Sequence, residues 1–289
     1  MSEQVQLDKK KSMKEEKIRA FMKNKLAVAG AVLLLTMIVL AALSPIIAPY
    51  GFDEQNYEIA RQTPSLQHLA GTDELGRDIF SRILYGGRVS LTIGIISVGI
   101  GLIFGGSLGV IAAYYGGVTE TVIMRVIDVL MAIPSIILSI SICAALGSGI
   151  VNTMIAVGIS SIPTYARVFR SSVISEKSKE YIEAARAVGA GNARIILKHI
   201  LPNSIAPVIV QASLGVAQAI TTAASLSFIG LGIQPPTPEW GALLSSGRQY
   251  IRDFPHMVVY PGIAIMLTVL ALNLIGDGLR DALDPRLKR

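Results

Sequence analysis

Charge is what this sequence has least of. Only 16% of its 289 residues are Asp, Glu, Lys or Arg, while 52% are hydrophobic; a soluble domain carries about 25% charge. The deficit is concentrated in long uncharged runs, which excludes a soluble protein with a large core and points to a chain that crosses the membrane several times. Cysteine is nearly absent: Cys143 stands alone inside an apolar run, so an intrachain disulfide framework is excluded. There is no G-x-x-x-x-G-K-[ST] stretch, hence no P-loop, and Gly230-Leu-Gly232 is too short to cradle phosphate. His68, His199 and His256 have no metal-type spacing. The chain is expected to have no catalytic residue, metal or cofactor of its own. The formal charge of +6 does not imply nucleic acid, because the cations lie between the apolar runs, where they report orientation.

Residues 1–25 hold eight Lys/Arg and four acids and are read as a basic cytoplasmic N-terminus. Leu26–Phe52 is uncharged for 27 residues, longer than a signal-peptide core and enough to cross about 30 Å of hydrocarbon. It predicts a first membrane helix over 26–48, ended by Pro45 and Pro49. Residues 49–88 are a hydrophilic, outward-facing loop. Residues 89–289 then form a five-helix core with a short cytoplasmic tail. Its first run, Val89–Thr119, predicts a helix at about 90–114 and carries Gly101, Gly105 and Gly109 at GxxxG spacing, suited either to packing within the chain or to a dimer interface. Glu120, Arg125 and Asp128 mark a short polar return. Val129–Ala166, uncharged for 38 residues, is split into two spans at Gly147-Ser-Gly149. Ile200–Pro238 supplies a fifth helix at about 204–228, and Met257–Gly276 a sixth.

Six helices place both termini on one side. The Lys/Arg count is then 20 on that side and 6 on the other, which makes the termini and the polar insert between the fourth and fifth spans cytoplasmic. In the insert, Tyr181, Ala185 and Val188 recur at i, i+4, i+7, one side of a short amphipathic helix. Glu180 and Glu183 lie in its early turns and Gly189-Ala-Gly191 breaks it. Asn192 is the expected N-cap of a second short helix presenting Ile195, Ile196 and His199, and Pro202 marks the change of direction into the fifth span. Periodicity alone equally fits a hairpin lying on anionic lipid headgroups.

The spacing Glu183-Ala184-Ala185, three residues, Gly189, and later Leu201-Pro202 resembles the EAA loop of binding-protein-dependent ABC import permeases, EAA-x3-G-x9-I-x-L-P. His199 replaces the Ile, and His-x-Leu-Pro is common in the peptide and nickel importer branch. Gly71-Thr-Asp-x-x-Gly-Arg-Asp78 with Ser81-Arg82 and Tyr85-Gly86, Trp240-Gly-x-Leu-Leu, and Gly276-Asp-Gly-Leu-Arg-Asp-x-Leu-Asp-Pro-Arg286 are similar to the same branch. The match is to the second permease subunit of dipeptide/oligopeptide (peptide/nickel) transporters. The resemblance implies an all-α integral membrane protein of type I ABC importer permease architecture in the cell membrane of a prokaryote. It implies a second homologous permease subunit, two cytoplasmic ATPase subunits that bind the ATP, and an extracytoplasmic substrate-binding protein. It makes residues 171–203 the coupling loop, with Glu183, Ala184, Ala185, Gly189, Leu201 and Pro202 docking the ATPase.

Other positions carry two readings each. Asp73, Arg77 and Asp78 form either a turn held by Asp–Arg pairing or a contact for the binding protein. Asn152, Gln211, Gln218 and Asn273 either hydrogen-bond between helices or line the pathway. An ion-coupled secondary transporter is the competing class. It is disfavoured because no ionisable residue falls inside the expected spans, where such a charge costs about 2.5–3.5 kcal/mol and is kept for function. Di- or oligopeptides are the expected cargo, with nickel chelates or glycosides as alternatives.

Overall fold

The computed structural model describes Glu16 and residues 18–283. Most of the expected basic N-terminus and the last residues of the tail, Asp284–Arg289, lie outside these. Among the described residues the regular structure is helical: α1 Lys25–Ala42, α2 Ile79–Tyr115, α3 Gly117–Met131, α4 Ser135–Leu146, α5 Ile150–Lys177, α6 Glu180–Ala187, α7 Asn192–Phe228, α8 Trp240–Gly247 and α9 His256–Leu283, with one-turn pieces at Ser44–Ile47, Tyr57–Ile59 and Arg248–Tyr250. By length and composition α1, α2, α7 and α9 can each cross a membrane, and α3 with α4 adds a fifth if that bent pair is one span. α5 has the length but carries Arg167, Arg170, Glu176 and Lys177 in its second half.

Several boundaries differ from expectation. α1 ends at Ala42 rather than near 47, because Pro45 opens a separate turn. α2 begins at Ile79, eleven residues before the expected start, capped by the Asp78 carboxylate accepting from the Ser81 amide at 2.7 Å. The polar return around Glu120 is instead the 15-residue helix α3. The expected third span is broken: α3 and α4 meet at 86° across residues 132–134. Pro134 has no amide hydrogen and its ring disfavours helical backbone at Ile133. The split at Gly147-Ser-Gly149 stands where the sequence placed it, with Gly147 at φ 86° and Gly149 at φ 138°, conformations that suit glycine.

α2 lies on α5 along the glycine stripe. A Cβ at Gly101 would sit 2.1 Å from the Ser161 hydroxyl oxygen, at Gly105 2.4 Å from the Ile162 carbonyl, and at Gly109 2.2 Å from the Ala166 carbonyl. The GxxxG face therefore serves packing within the chain. α1 lies on α9 in the same way, Gly30 against Ala271 and Leu274 and Gly278 against Ala27. The Asn24 side chain caps α1 and donates to Asp281 at 3.2 Å, so the start of α1 and the end of α9 share one end of the molecule. The loop before α2 occupies the other end, where the His256 ring reaches the Thr72 carbonyl at 3.4 Å.

Candidate functional site

At the end opposite that loop, α6 stands between the last turn of α5 and the start of α7. Eight residues are too few for a helix to hold itself in water, so α6 depends on its anchors. Ile182 is fully buried in a cluster with Val110, Tyr114, Phe169, Val173, Ile195, Ile200 and Val208, and Ala185 and Leu201 pack against it. The buried face is thus Ile182 with Ala185, not the expected Tyr181, Ala185 and Val188. The helix ends at Ala187, so Val188 falls outside the repeat and is 84% exposed.

The EAA-x3-G spacing has a backbone explanation. Gly189, at φ +82°, lies two residues past the last helical residue. Its amide donates to the Arg186 carbonyl at 2.9 Å, and the Ala190 amide donates to the Ala185 carbonyl at 3.0 Å. This pair of bonds is the Schellman C-cap, which closes a helix with glycine in the left-handed region. Glu183 and Ala184 are exposed beside it, and a Cβ on Gly189 would meet nothing within 4 Å. The knob therefore offers a shallow, open face.

The second helix of the insert differs from expectation. Gly191 occupies the cap, Asn192 is the first helical residue, and the helix runs on to Phe228 without a turn at Pro202. A π-helical turn over Ile196–Ile200 precedes Pro202. The Asn203 side chain donates to the His199 carbonyl at 2.7 Å, one of the substitute bonds that let a helix continue through proline. Pro202 is exposed and Leu201 half-buried.

Two side chains the sequence did not single out hold α6 in place. Glu176, buried at the end of α5, accepts from the Tyr181 hydroxyl and from Lys179 Nζ at 2.6 Å. Burial and the adjacent Glu176 carboxylate push the Tyr181 phenol up to about 12. Tyr114, at the end of α2, donates to Asn192 Oδ1 at 2.8 Å. Neither had a visible signal, because each partner is distant in sequence or hidden among ordinary surface charges. Nearby, Arg170 and Arg167 pair with Glu120 and Asp128, each at 2.7 Å, around an open polar cavity of about 760 Å³.

The cluster in the loop before α2 is buried: Asp73, Arg77 and Asp78 are each 3% exposed. Arg77 Nε donates to Asp73 Oδ2 at 2.7 Å, and Asp73 also accepts from the amides of Leu75 and Arg77. Asp78 bonds His68 Nδ1 at 3.0 Å besides capping α2. This favours the first of the two readings, a loop held by internal pairing. Asn152 donates to the Leu146 and Gly147 carbonyls at 2.8 and 3.1 Å, closing the end of α4. Gln211 is half-buried on α7, and Gln218 and Asn273 are exposed on α7 and α9. The buried acid Glu239 was missed. It caps α8 through the amides of Gly241 and Ala242 and accepts from Ser90 at 3.0 Å, while Trp240 donates to the Ile83 carbonyl.

Residues 105–289 match the family model described as binding-protein-dependent transport system inner membrane component, and residues 13–65 match the N-terminal transmembrane domain of oligopeptide transport permease C. A dipeptide transport system permease protein of Alkalihalophilus pseudofirmus is 49% identical, covering 94% of this chain and 90% of the relative. A glutathione transport system permease protein of Pectobacterium atrosepticum is 47% identical over 93% of this chain and 90% of the relative. The inward-facing MetNI methionine ABC transporter is similar in fold, with TM-score 0.58 and 18% identity over 70% of this chain and 96% of that one. The chain thus belongs to the binding-protein-dependent transport system inner membrane components, the permease subunits of ABC importers.

Proposed function

We propose that this permease carries di- or oligopeptides delivered by an extracytoplasmic binding protein, in complex with a second homologous permease subunit and two ATPase subunits that bind and hydrolyse the ATP. The peptide assignment draws on the named cargo of the relatives. Six passes fit the arrangement, with both termini and α6 cytoplasmic and the loop before α2 outside, in agreement with the Lys/Arg bias.

The observation that carries the mechanism is the exposed, Schellman-capped helix α6 on its apolar seat. Glu183, Ala184 and Gly189 form its open face, with Ala185 beneath, and this face enters a cleft on the ATPase. Leu201 and Pro202 act from α7, where they fix the rigid continuation of the knob. Closure of the ATPase pair then pulls on α6, and α7, reached across the Gly189-Ala190-Gly191 elbow, carries the movement into the membrane. Gln211, Gln218 and Asn273 remain the proposed polar lining of the pathway, with Asn152 at its outer rim. Receptor contact falls to the exposed surface of the outer loop that Asp73, Arg77 and Asp78 hold in shape.

Co-purification with the ATPase subunits tests this reading. Glu183→Lys, which reverses charge on the open face while leaving the buried seat intact, is expected to lose the ATPase and with it uptake. Normal association and uptake by that variant would refute the docking role.

A further inference from the structure

Among the α2 residues Val110, Ala113 and Tyr114 in the cluster that seats the knob, Tyr114 adds polar and cation–π contacts to three other helices. Tyr114 lies in the last turn of α2 and is 5% exposed. Its hydroxyl donates to Asn192, the first residue of α7. Its ring faces two cations: Arg186 of α6, whose guanidinium carbon is 5.8 Å from the ring centre, and Lys177 at the end of α5, at 5.7 Å. Lys177 Nζ also donates to the Ala113 and Tyr114 carbonyls at 3.2 and 2.5 Å, using the carbonyls that a helix end leaves free. Tyr114 thus meets residues of α5, α6 and α7 while belonging to α2. Thirty-six residues away, roughly 54 Å along the helix, α2 is capped by Asp78 inside the buried loop cluster.

The geometry points to Tyr114 as a positioning residue for energy coupling. It locks α6 to the ends of α2, α5 and α7, so that movement of the knob is delivered to α2 and the outer loop instead of being absorbed at the Gly189-Ala190-Gly191 elbow. The elbow needs such a lock, because Gly189 and Gly191 have open space around them. Cation–π contacts and a hydrogen bond suit the task, since they resist sliding as apolar contacts alone do not. This inference rests on the docking role of α6.

The test is ATP hydrolysis by the complete importer in nanodiscs, with and without its binding protein, because stimulation across the bilayer requires the linkage. In Tyr114→Leu the ratio of stimulated to unstimulated hydrolysis is expected to fall about five- to tenfold. Tyr114→Phe keeps the ring over both cations and should retain part of the stimulation. Asn192→Ala should match Tyr114→Phe, and the double variant should lose no more than either, since all three delete one hydrogen bond. Full stimulation in Tyr114→Leu, or additive losses in the double variant, would overturn the inference. If Tyr114→Leu fails to assemble, the Phe and Ala variants decide by the same criterion. Gly189→Leu separates the two levels. ATPase docking that survives it sinks the docking role itself; docking lost there, with stimulation intact in the Tyr114 variants, sinks only the lock.

Discussion

Gly189 allows the fold and the docking role to be separated by one substitution series. Its φ of +82° lies in the left-handed region, where an ordinary L-residue costs about 1–2 kcal/mol and Asn less. A Cβ there meets nothing within 4 Å and Gly189 is exposed, so in the isolated chain the backbone term dominates the cost. Gly189→Ala and Gly189→Leu should therefore lower thermal stability of the isolated chain equally, and Gly189→Asn by less. In the proposed complex the same space is closed by the ATPase. There the cost should climb with bulk, and a leucine forced into a packed contact adds about 1–3 kcal/mol, a roughly five- to 150-fold loss of affinity. The order of ATPase binding, measured by titration against the detergent-solubilised permease, should be Gly, Asn and Ala close together, with Leu far weaker. Leu binding as well as Ala would refute the placement of Gly189 against the partner. A Leu chain much less stable than the Ala chain would refute the open space.

Three further outcomes follow from the packing. Gly109→Ala sets a Cβ 2.2 Å from the Ala166 carbonyl, whereas Gly99 on the same helix has nothing within 4 Å; the first should destabilise by about 1–3 kcal/mol and the second should not, as read by unfolding in mixed micelles, and equal effects would contradict the intrachain reading of the stripe. Asp73→Ala strips the carboxylate from buried Arg77 and from Arg82, whose Nε lies 3.6 Å away; removing one member of such a buried pair costs about 3–5 kcal/mol, so the chain should melt earlier, and an unchanged melting curve would count against the buried pairing. Tyr181 is held neutral, its phenol up to about 12 against an ordinary value near 10, so its contribution is fully present below pH 10 and is lost as pH rises toward 12; above pH 10 the native chain should lose stability relative to Tyr181→Phe, and parallel curves would refute the shift.

Where the sequence failed, the cause was a partner distant along the chain or a break inside an apolar run. The uncharged stretch 129–166 showed no interruption to hydropathy, yet Pro134 bends it by 86°. Tyr181 and Val188 matched a helical period that stops at Ala187. Asn192 looked like a cap by composition but became the acceptor for Tyr114, 78 residues away. Asp73, Arg77 and Asp78 carried two readings in sequence, and only their burial favoured the turn held by Asp–Arg pairing.

What the sequence determined by itself was set by solvent and by local backbone chemistry. Uncharged runs have to leave water, and Gly147, Gly149 and Gly189 carry the turns that L-residues resist. Those constraints act on neighbouring residues, so they are written in order along the chain. Only the tertiary structure decided which helix the glycine stripe meets, which face of α6 is buried, and that Tyr114 joins four helices. These depend on which surfaces complement one another in three dimensions, and close approach between helices is settled by shapes contributed from distant segments.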